Sequence, residues 1–238
     1  DSGKENTLKK LDSIRFNISK KSFSKLNKLY AIKYPVFFKK PSHKAAIDLI
    51  DGLILDQNNV SFSKQSELIR YSYYVAGTVG LMMCDALKCK NNDAKLFAID
   101  LGIAMQLTNI ARDVIEDKKR NREYIDHDII TIKETLKLAD MFYNSSFNSI
   151  KEIPISCRFA ILVARRVYRQ IGNEILKKKD LEDYERAGKI FVTNVGKIKQ
   201  TFLSLFDFII LIFLKSINNS YNLRHEDIKK EINLNERF

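Results

Sequence analysis

The stretch QLTNIARDVIED, residues 106–117, continues a segment, AIDLGIAMQL, that is apolar nearly all round. Within it stand Gln106, Asn109, Asp113 and Asp117, at spacings of three, four and four. On an α-helix of about 100° per residue these side chains point at about 0°, 300°, 340° and 20°. They form one narrow polar stripe on a helix whose other faces belong in a core. Oxygen-bearing side chains withdrawn from water need partners. The chain must therefore bury a long helix and bring to one side of it whatever answers that stripe.

Helix breakers are scarce, with 8 Gly and 3 Pro in 238 residues, and no β-rich run with regular turn signals occurs. An all-α fold with long helices is predicted, and a hydrophobic content of 45% suits a sizeable core. Residues 8–33 place Lys among Leu, Ile and Phe at helical spacing and read as one or two exposed amphipathic helices. Pro35 and Pro41 mark a break. Helices are predicted over 45–56, 66–87, 94–117, 129–148 and 157–178, with a loop at 88–93 and a less regular bridge over 181–200. The most apolar run, FLSLFDFIILIFL (202–214), falls short of the roughly 20 residues a spanning helix needs. It reads either as a last core-packing helix or as a helix lying on a membrane.

The net charge is +12. It suits a solvated Lys-rich surface, an anionic membrane surface or a phosphate-bearing substrate. Basic residues are spread along the chain, densest at Lys20–Lys28 and Lys177–Lys179. No nucleic-acid motif is present, so nucleic acid is not an expected partner. Cys84, Cys89 and Cys157 make neither a disulfide framework nor a zinc set, which fits a reduced, cytoplasmic setting. The polar opening DSGKENTLKK does not read as a signal peptide.

Two carboxylates four apart, with two amides on the same face, offer only hard oxygen donors. That set suits Mg²⁺, which keeps several waters and is usually completed by substrate phosphates. The structural alternative pairs Asp113 and Asp117 with Arg112, Lys118, Arg120 and Arg122. Arg120 and Arg122, in the basic loop just after the stripe, are also what a diphosphate would want nearby. A second unusual stretch is YSYYVAGTVG (71–80), where Tyr73 and Gly77 share a helical face and Gly80 lies a turn further on. Small residues there serve close helix packing or a slot for a long apolar chain. An aromatic ring at the head of such a slot could stabilise a carbocation.

QLTNIARDVIED followed by NREY, and YSYYVAGTVGLMM before it, resemble the squalene/phytoene synthase family. VAGTVGLMM and AIDLGIAMQLTNIARDV are most similar to its bacterial phytoene synthases. DLIDGLILD resembles the family segment ending in a retained aspartate, here Asp56. RFAILVARRVYRQI is similar to its late helix, with Tyr168 at the tyrosine position. The resemblance runs from about Leu49 to Gln200.

It implies an isoprenoid synthase fold: a single helical bundle around a central cavity, forming one head-to-head prenyl diphosphate synthase domain over 1–238. It implies that Asn109, Asp113 and Asp117 hold Mg²⁺ (Mn²⁺ being a possible substitute), with Gln106 beside them. Asp113, Asp117, Tyr73 and Tyr168 become the expected catalytic residues. Arg112 and Arg122 become diphosphate contacts, Arg112 lying about 100° off the stripe. Ala76, Gly77 and Val79 become cavity wall. The implied reaction joins two geranylgeranyl diphosphates through prephytoene diphosphate to phytoene, without NADPH, in a cytoplasmic enzyme peripheral on the inner face of a membrane.

The chain departs from the family pattern in lacking a first D-x-x-x-D upstream of DLIDG. An N-terminally incomplete sequence is the simplest expectation and a non-catalytic homologue the second. A third is a squalene, dehydrosqualene or presqualene diphosphate synthase acting on farnesyl diphosphate. Asp126 stands where many relatives end their loop in proline.

Overall fold

The computed structural model describes residues 2–20, 42–58, 60–89, 91–213, 225–230 and 232–238. Among these there is no strand; one isolated bridge joins Ser61 to Glu123. Helix α1 spans Ser2–Ser19 and touches α2, His43–Leu55, through an Arg15–Asp51 ion pair of 2.6 Å. Of the helices predicted over 8–33, residues 8–19 lie in α1, while 21–41, with the Pro35 and Pro41 break, lie outside the described residues.

The expected helix over 66–87 is three pieces in one rod. These are α3, Gln65–Ser72, a π-helical turn at Tyr73–Gly77, and α4, Thr78–Ala86. Its antiparallel neighbour is α5, Asn92–Lys119, opened by Asn91, whose side chain accepts from the Asp93 N–H. α5 is the spine. Ile99, Ile103, Ala104, Leu107 and Ala111 are completely buried, and α5 packs on α4, on α6 (Ile129–Ser146) and on α7 (Ile155–Leu176). A short 3₁₀ turn, Asn148–Glu152, joins α6 to α7.

Glycine sets the closest approach in this spine. A Cβ on Gly80 would fall 2.1 Å from the Ala98 carbonyl oxygen, and one on Gly102 would fall 2.3 Å from that of Ala76. Backbone meets backbone at two levels of an antiparallel crossing, and only a residue without a Cβ fits.

The bridge over 181–200 is more ordered than expected. Asp180 caps α8, Leu181–Ala187. Gly188 turns the chain at φ +60°, and α9 runs from Asn194 to Phe213, eight residues earlier than the apolar run. α9 is inverted. Its buried residues include Gln200, Ser204 and Asp207, and Asp207 receives both arms of the Arg166 guanidinium from α7. Outward face Phe202 at 63%, Phe206 at 62% and Phe213 at 79% exposure. It therefore does not act as a core-packing helix through its apolar face. No helix among the described residues is long and apolar enough to cross a membrane. The C-terminal residues include α10, His225–Lys229, and a 3₁₀ turn, Leu234–Arg237.

Candidate active site

The C-terminal half of α5 carries the polar stripe, and all four of its side chains are half-buried. Asp113 is the best-held of them. Arg112 donates to it with both arms, Nε to Oδ1 at 2.8 Å and Nη2 to Oδ2 at 2.6 Å. Lys189, just after the Gly188 turn, adds its ammonium at 3.2 Å from Asp113 Oδ1 and at 2.7 Å from Glu116 Oε2. Burial pushes Asp113 upward, but these cations outweigh it and hold its carboxyl below the usual range. Asp117 is the opposite case. Burial first, then the charge of Asp113, raise it to about 6, against the pull of Arg122 and Arg120.

Asp56, at the end of α2, faces this cluster and adds to the upward push on Asp117. It accepts from Tyr71 Oη at 2.7 Å, from Tyr124 Oη, and from Arg122, 3.1 Å away. The loop after α5 turns at Asn121, φ +58°, and folds back so that the Arg122 N–H reaches the Asp117 carbonyl. Tyr71 and Tyr124 stack at 5.1 Å, with Phe62 against Tyr71. One aromatic cluster thus pins both the Asp56 segment and the Arg122 loop.

The N-terminal half of the same helix borders an apolar cavity of about 450 Å³. Ala94, Phe97, Ala98, Leu101, Gly102 and Met105 supply one wall, α4 a second, and Ile161 and Ala164 of α7 a third. Val79 and Met83, at 42% and 47% exposure, form its open lip. On α5 the face extends naturally to Arg112, seven residues beyond Met105 and within about 20° of its direction. The polar stripe lies about 40–120° to one side. On α7, Tyr168 lies one turn beyond Ala164, and its phenol is among the groups that push the Arg112 pKa upward, after Asp113. Arg112 and Tyr168 therefore lie beyond the cavity lining, toward the carboxylate half of α5.

Of the expected wall residues, Ala76 and Val79 border this cavity. Gly77 does not: it packs on the Tyr73 ring, Ile99 and Ile103. Tyr73 is not at the cavity either. Its ring is fully buried and its hydroxyl donates to Asp48 at 2.7 Å, whose carboxylate is gripped by both arms of Arg237. Arg122 is engaged by Asp56, and Arg112 by Asp113, so the ion-pair alternative for Asp113 is realised in this structure. Asp117 is not so paired.

Sequence reading passed over Tyr184 and Lys189. The Tyr184 hydroxyl donates to the Ala111 and Arg112 carbonyls at 2.9 and 2.8 Å, docking α8 against α5 beside Asp113. Neither carries a local signal, since the partners lie more than seventy residues away.

Among the described residues no three His, Cys, Asp or Glu side chains converge into a ready-made metal cage. The donors that do gather are all hard oxygens. The proton affinity of half-buried Asp117 is raised by burial and by the neighbouring Asp113 charge, and such a carboxylate pair is a place where a divalent cation is favourable. The residues present therefore fit Mg²⁺ held by a pair and completed by water and phosphate oxygen.

Residues 39–132 match the profile of the family described as squalene/phytoene synthase. The 15-cis-phytoene synthase of Paracoccus sp. (strain N81106 / MBIC 01143) is 34% identical over 174 residues, 63% of this chain and 57% of that protein. The 15-cis-phytoene synthase of Pantoea ananas is 30% identical over 151 residues, 55% of this chain and 49% of that protein. The chain thus spans about half the length of these curated relatives. A crystal structure of a dehydrosqualene synthase in complex with ligand superposes with a TM-score of 0.60 at 27% identity, covering 69% of this chain and 64% of that one. The architecture is the all-α isoprenoid synthase fold.

Proposed function

We propose that this chain is a member of the squalene/phytoene synthase family, as its matches to that family support, and that it joins two geranylgeranyl diphosphates head to head, through prephytoene diphosphate, to phytoene. One observation carries the reading. A single helix, α5, borders an apolar cavity along one half and presents carboxylates and a guanidinium along the other. A prenyl diphosphate has that same division, an apolar chain ending in a dense anionic head.

On this reading Arg112 and Arg122 donate N–H groups to diphosphate oxygens, exchanging their present carboxylate partners for substrate. Asn109, Asp113 and Asp117 would hold Mg²⁺, and the ion would supply charge neutralisation to the departing diphosphate. Tyr168, one turn beyond the cavity-lining Ala164, would offer its ring to an allylic cation formed at the diphosphate end. Ala76, Leu101 and Met105 supply the apolar wall against which that cation would rest. Each half of the reaction releases one diphosphate and one proton, so no electrons, and no NADPH, are required. The outward Phe and Ile of α9, beside Lys197 and Lys199, support peripheral attachment to an anionic membrane, here assigned to the inner face.

The test is turnover of labelled geranylgeranyl diphosphate with and without Mg²⁺. Mg²⁺-dependent phytoene, lost in Asp113→Ala, is expected. Reaction of farnesyl diphosphate alone would favour the second reading, a squalene- or dehydrosqualene-type synthase, which the structural likeness to a dehydrosqualene synthase supports. Diphosphate binding without turnover of either donor would identify a non-catalytic homologue.

A further inference from the structure

Both oxygens of Asp113 are occupied by nitrogen donors in this structure. Arg112 takes one on each side, and Lys189 shares Oδ1. The two cations are not equivalent. Arg112 is the sequence neighbour of Asp113 and travels with it on α5. Lys189 arrives from a different element and joins a second carboxylate, Glu116, at 2.7 Å. Its position is built. Tyr184 fastens α8 to the α5 backbone at Ala111 and Arg112, and Gly188 turns the chain at φ +60°. The next residue then drops its ammonium onto the outer edge of the stripe. Lys189 also borders an open groove of about 690 Å³ with Lys177, Lys178 and Lys199, so its four-carbon stem has somewhere else to go.

We infer that Lys189 is a positioning residue that serves as the resident counter-cation of Asp113 and Glu116, yielding Asp113 to a divalent cation and moving to the diphosphate. The inference rests on the metal–diphosphate reading of the site. A hard cation and a lysine ammonium compete for the same oxygen, because both cannot sit within contact of Oδ1 without repelling each other. Once displaced, the ammonium lies beside the most anionic ligand available. Lys suits the exchange better than Arg would, because it is a point charge on a flexible stem rather than a fixed fork.

The two halves predict effects of opposite sign from one substitution, which a merely structural role would not produce. Mn²⁺ binding would be followed by electron paramagnetic resonance of the free ion. Inorganic pyrophosphate binding in Mg²⁺ would be followed by titration calorimetry. Both use the whole chain as wild type, Lys189→Gln, Lys189→Arg and Asp113→Asn, with a thermal melt of each. Lys189→Gln is expected to bind Mn²⁺ about fivefold more tightly, the equivalent of one half-exposed ion pair. It should bind pyrophosphate more weakly by a similar factor. Lys189→Arg should return both toward wild type. Unchanged or weaker Mn²⁺ binding in Lys189→Gln, or unchanged pyrophosphate binding, overturns the inference. The metal reading fails separately, and takes this inference with it, if no variant binds Mn²⁺ or if Asp113→Asn binds it as wild type does.

Discussion

Substituting Gly102 by alanine sets two effects of known sign against each other. Alanine in a helix interior is favoured over glycine by about 1 kcal/mol. Against that, the new Cβ would lie 2.3 Å from the Ala76 carbonyl oxygen, 2.7 Å from its carbon and 3.0 Å from the Gly77 Cα. All three are backbone atoms of the opposite rod, so no side-chain rotation relieves the clash. The rods must separate by about 1 Å to restore ordinary contact distances, and a gap of that order forfeits up to about half of each contact's attraction. Overpacking costs typically about 1–3 kcal/mol, and a backbone-on-backbone clash belongs at the upper end. The net is a loss of about 2 kcal/mol, or roughly 4–8 °C in melting temperature for a chain of this size.

Gly172 in α7 supplies the internal control. Its added Cβ would meet only Leu136 Cδ2, at 3.2 Å, the far end of a flexible side chain. There the helix preference prevails, and Gly172→Ala should be neutral or stabilising by up to about 1 kcal/mol. Urea unfolding of both variants checks the pair. Shifts in the same direction, or a Gly102→Ala chain as stable as wild type, would refute the claim that backbone contact at the α5 crossing outweighs propensity.

Three further outcomes are expected. Ala94→Leu narrows the cavity end remote from Arg112 and should shift the turnover ratio toward the shorter of the two prenyl donors by about tenfold; an unaltered ratio would show that the cavity does not measure the chain. Asp117, raised to about 6 by burial and by Asp113, binds its proton more tightly folded than unfolded, so it lowers stability as pH rises from about 4 to 6 and above. In chelator, Asp117→Asn should therefore stabilise by about 1 kcal/mol at pH 8, after discounting for its half-exposure, and by nothing at pH 4; equal melts at both values would count against this. Replacing Phe202 and Phe206 by glutamate should release the chain from anionic vesicles in a sedimentation assay, since each ring contributes about 1.5–3 kcal/mol when buried; undiminished sedimentation would exclude α9 as the contact.

Local pattern was enough for what depends on one helix at a time. The predicted helix over 94–117 spans Asn92–Lys119, and the polar stripe falls on one side of it. The tyrosines show where this stops. Periodicity assigned Tyr73 and Gly77 to one face, and they do pack together. Which neighbour that face meets depends on Asp48 on α2 and on Arg237, 189 residues further along than Asp48. That buried network, not the cavity, takes the Tyr73 hydroxyl. α9 shows a related limit. Hydropathy left the 202–214 run either core-packing or membrane-facing; Phe202 and Phe206 turn outward because Asp207 has a guanidinium waiting on α7, and a paired carboxylate can be buried. Lys189 was invisible because an ammonium two residues past a short helix becomes meaningful only when that helix docks beside Asp113.

The division of labour along α5 has a physical reason on the proposed reading. If the carboxylates lay directly in line with the cavity wall, a bound chain would bring its hydrocarbon against charged oxygens, and both would lose: the oxygens their partners, the chain its apolar contacts. Offset to one side, the stripe can bind metal and diphosphate while the chain keeps to Ala94–Met105. The residue that continues the cavity line is instead Arg112, a cation that can turn to either. Its fork now lies on Asp113; with Asp113 engaged by a metal, the same fork would be free to turn to the diphosphate. Cleavage there separates a cation bound for an apolar wall from an anion bound for a polar one. A helix with those two surfaces set at an angle keeps them from collapsing back together.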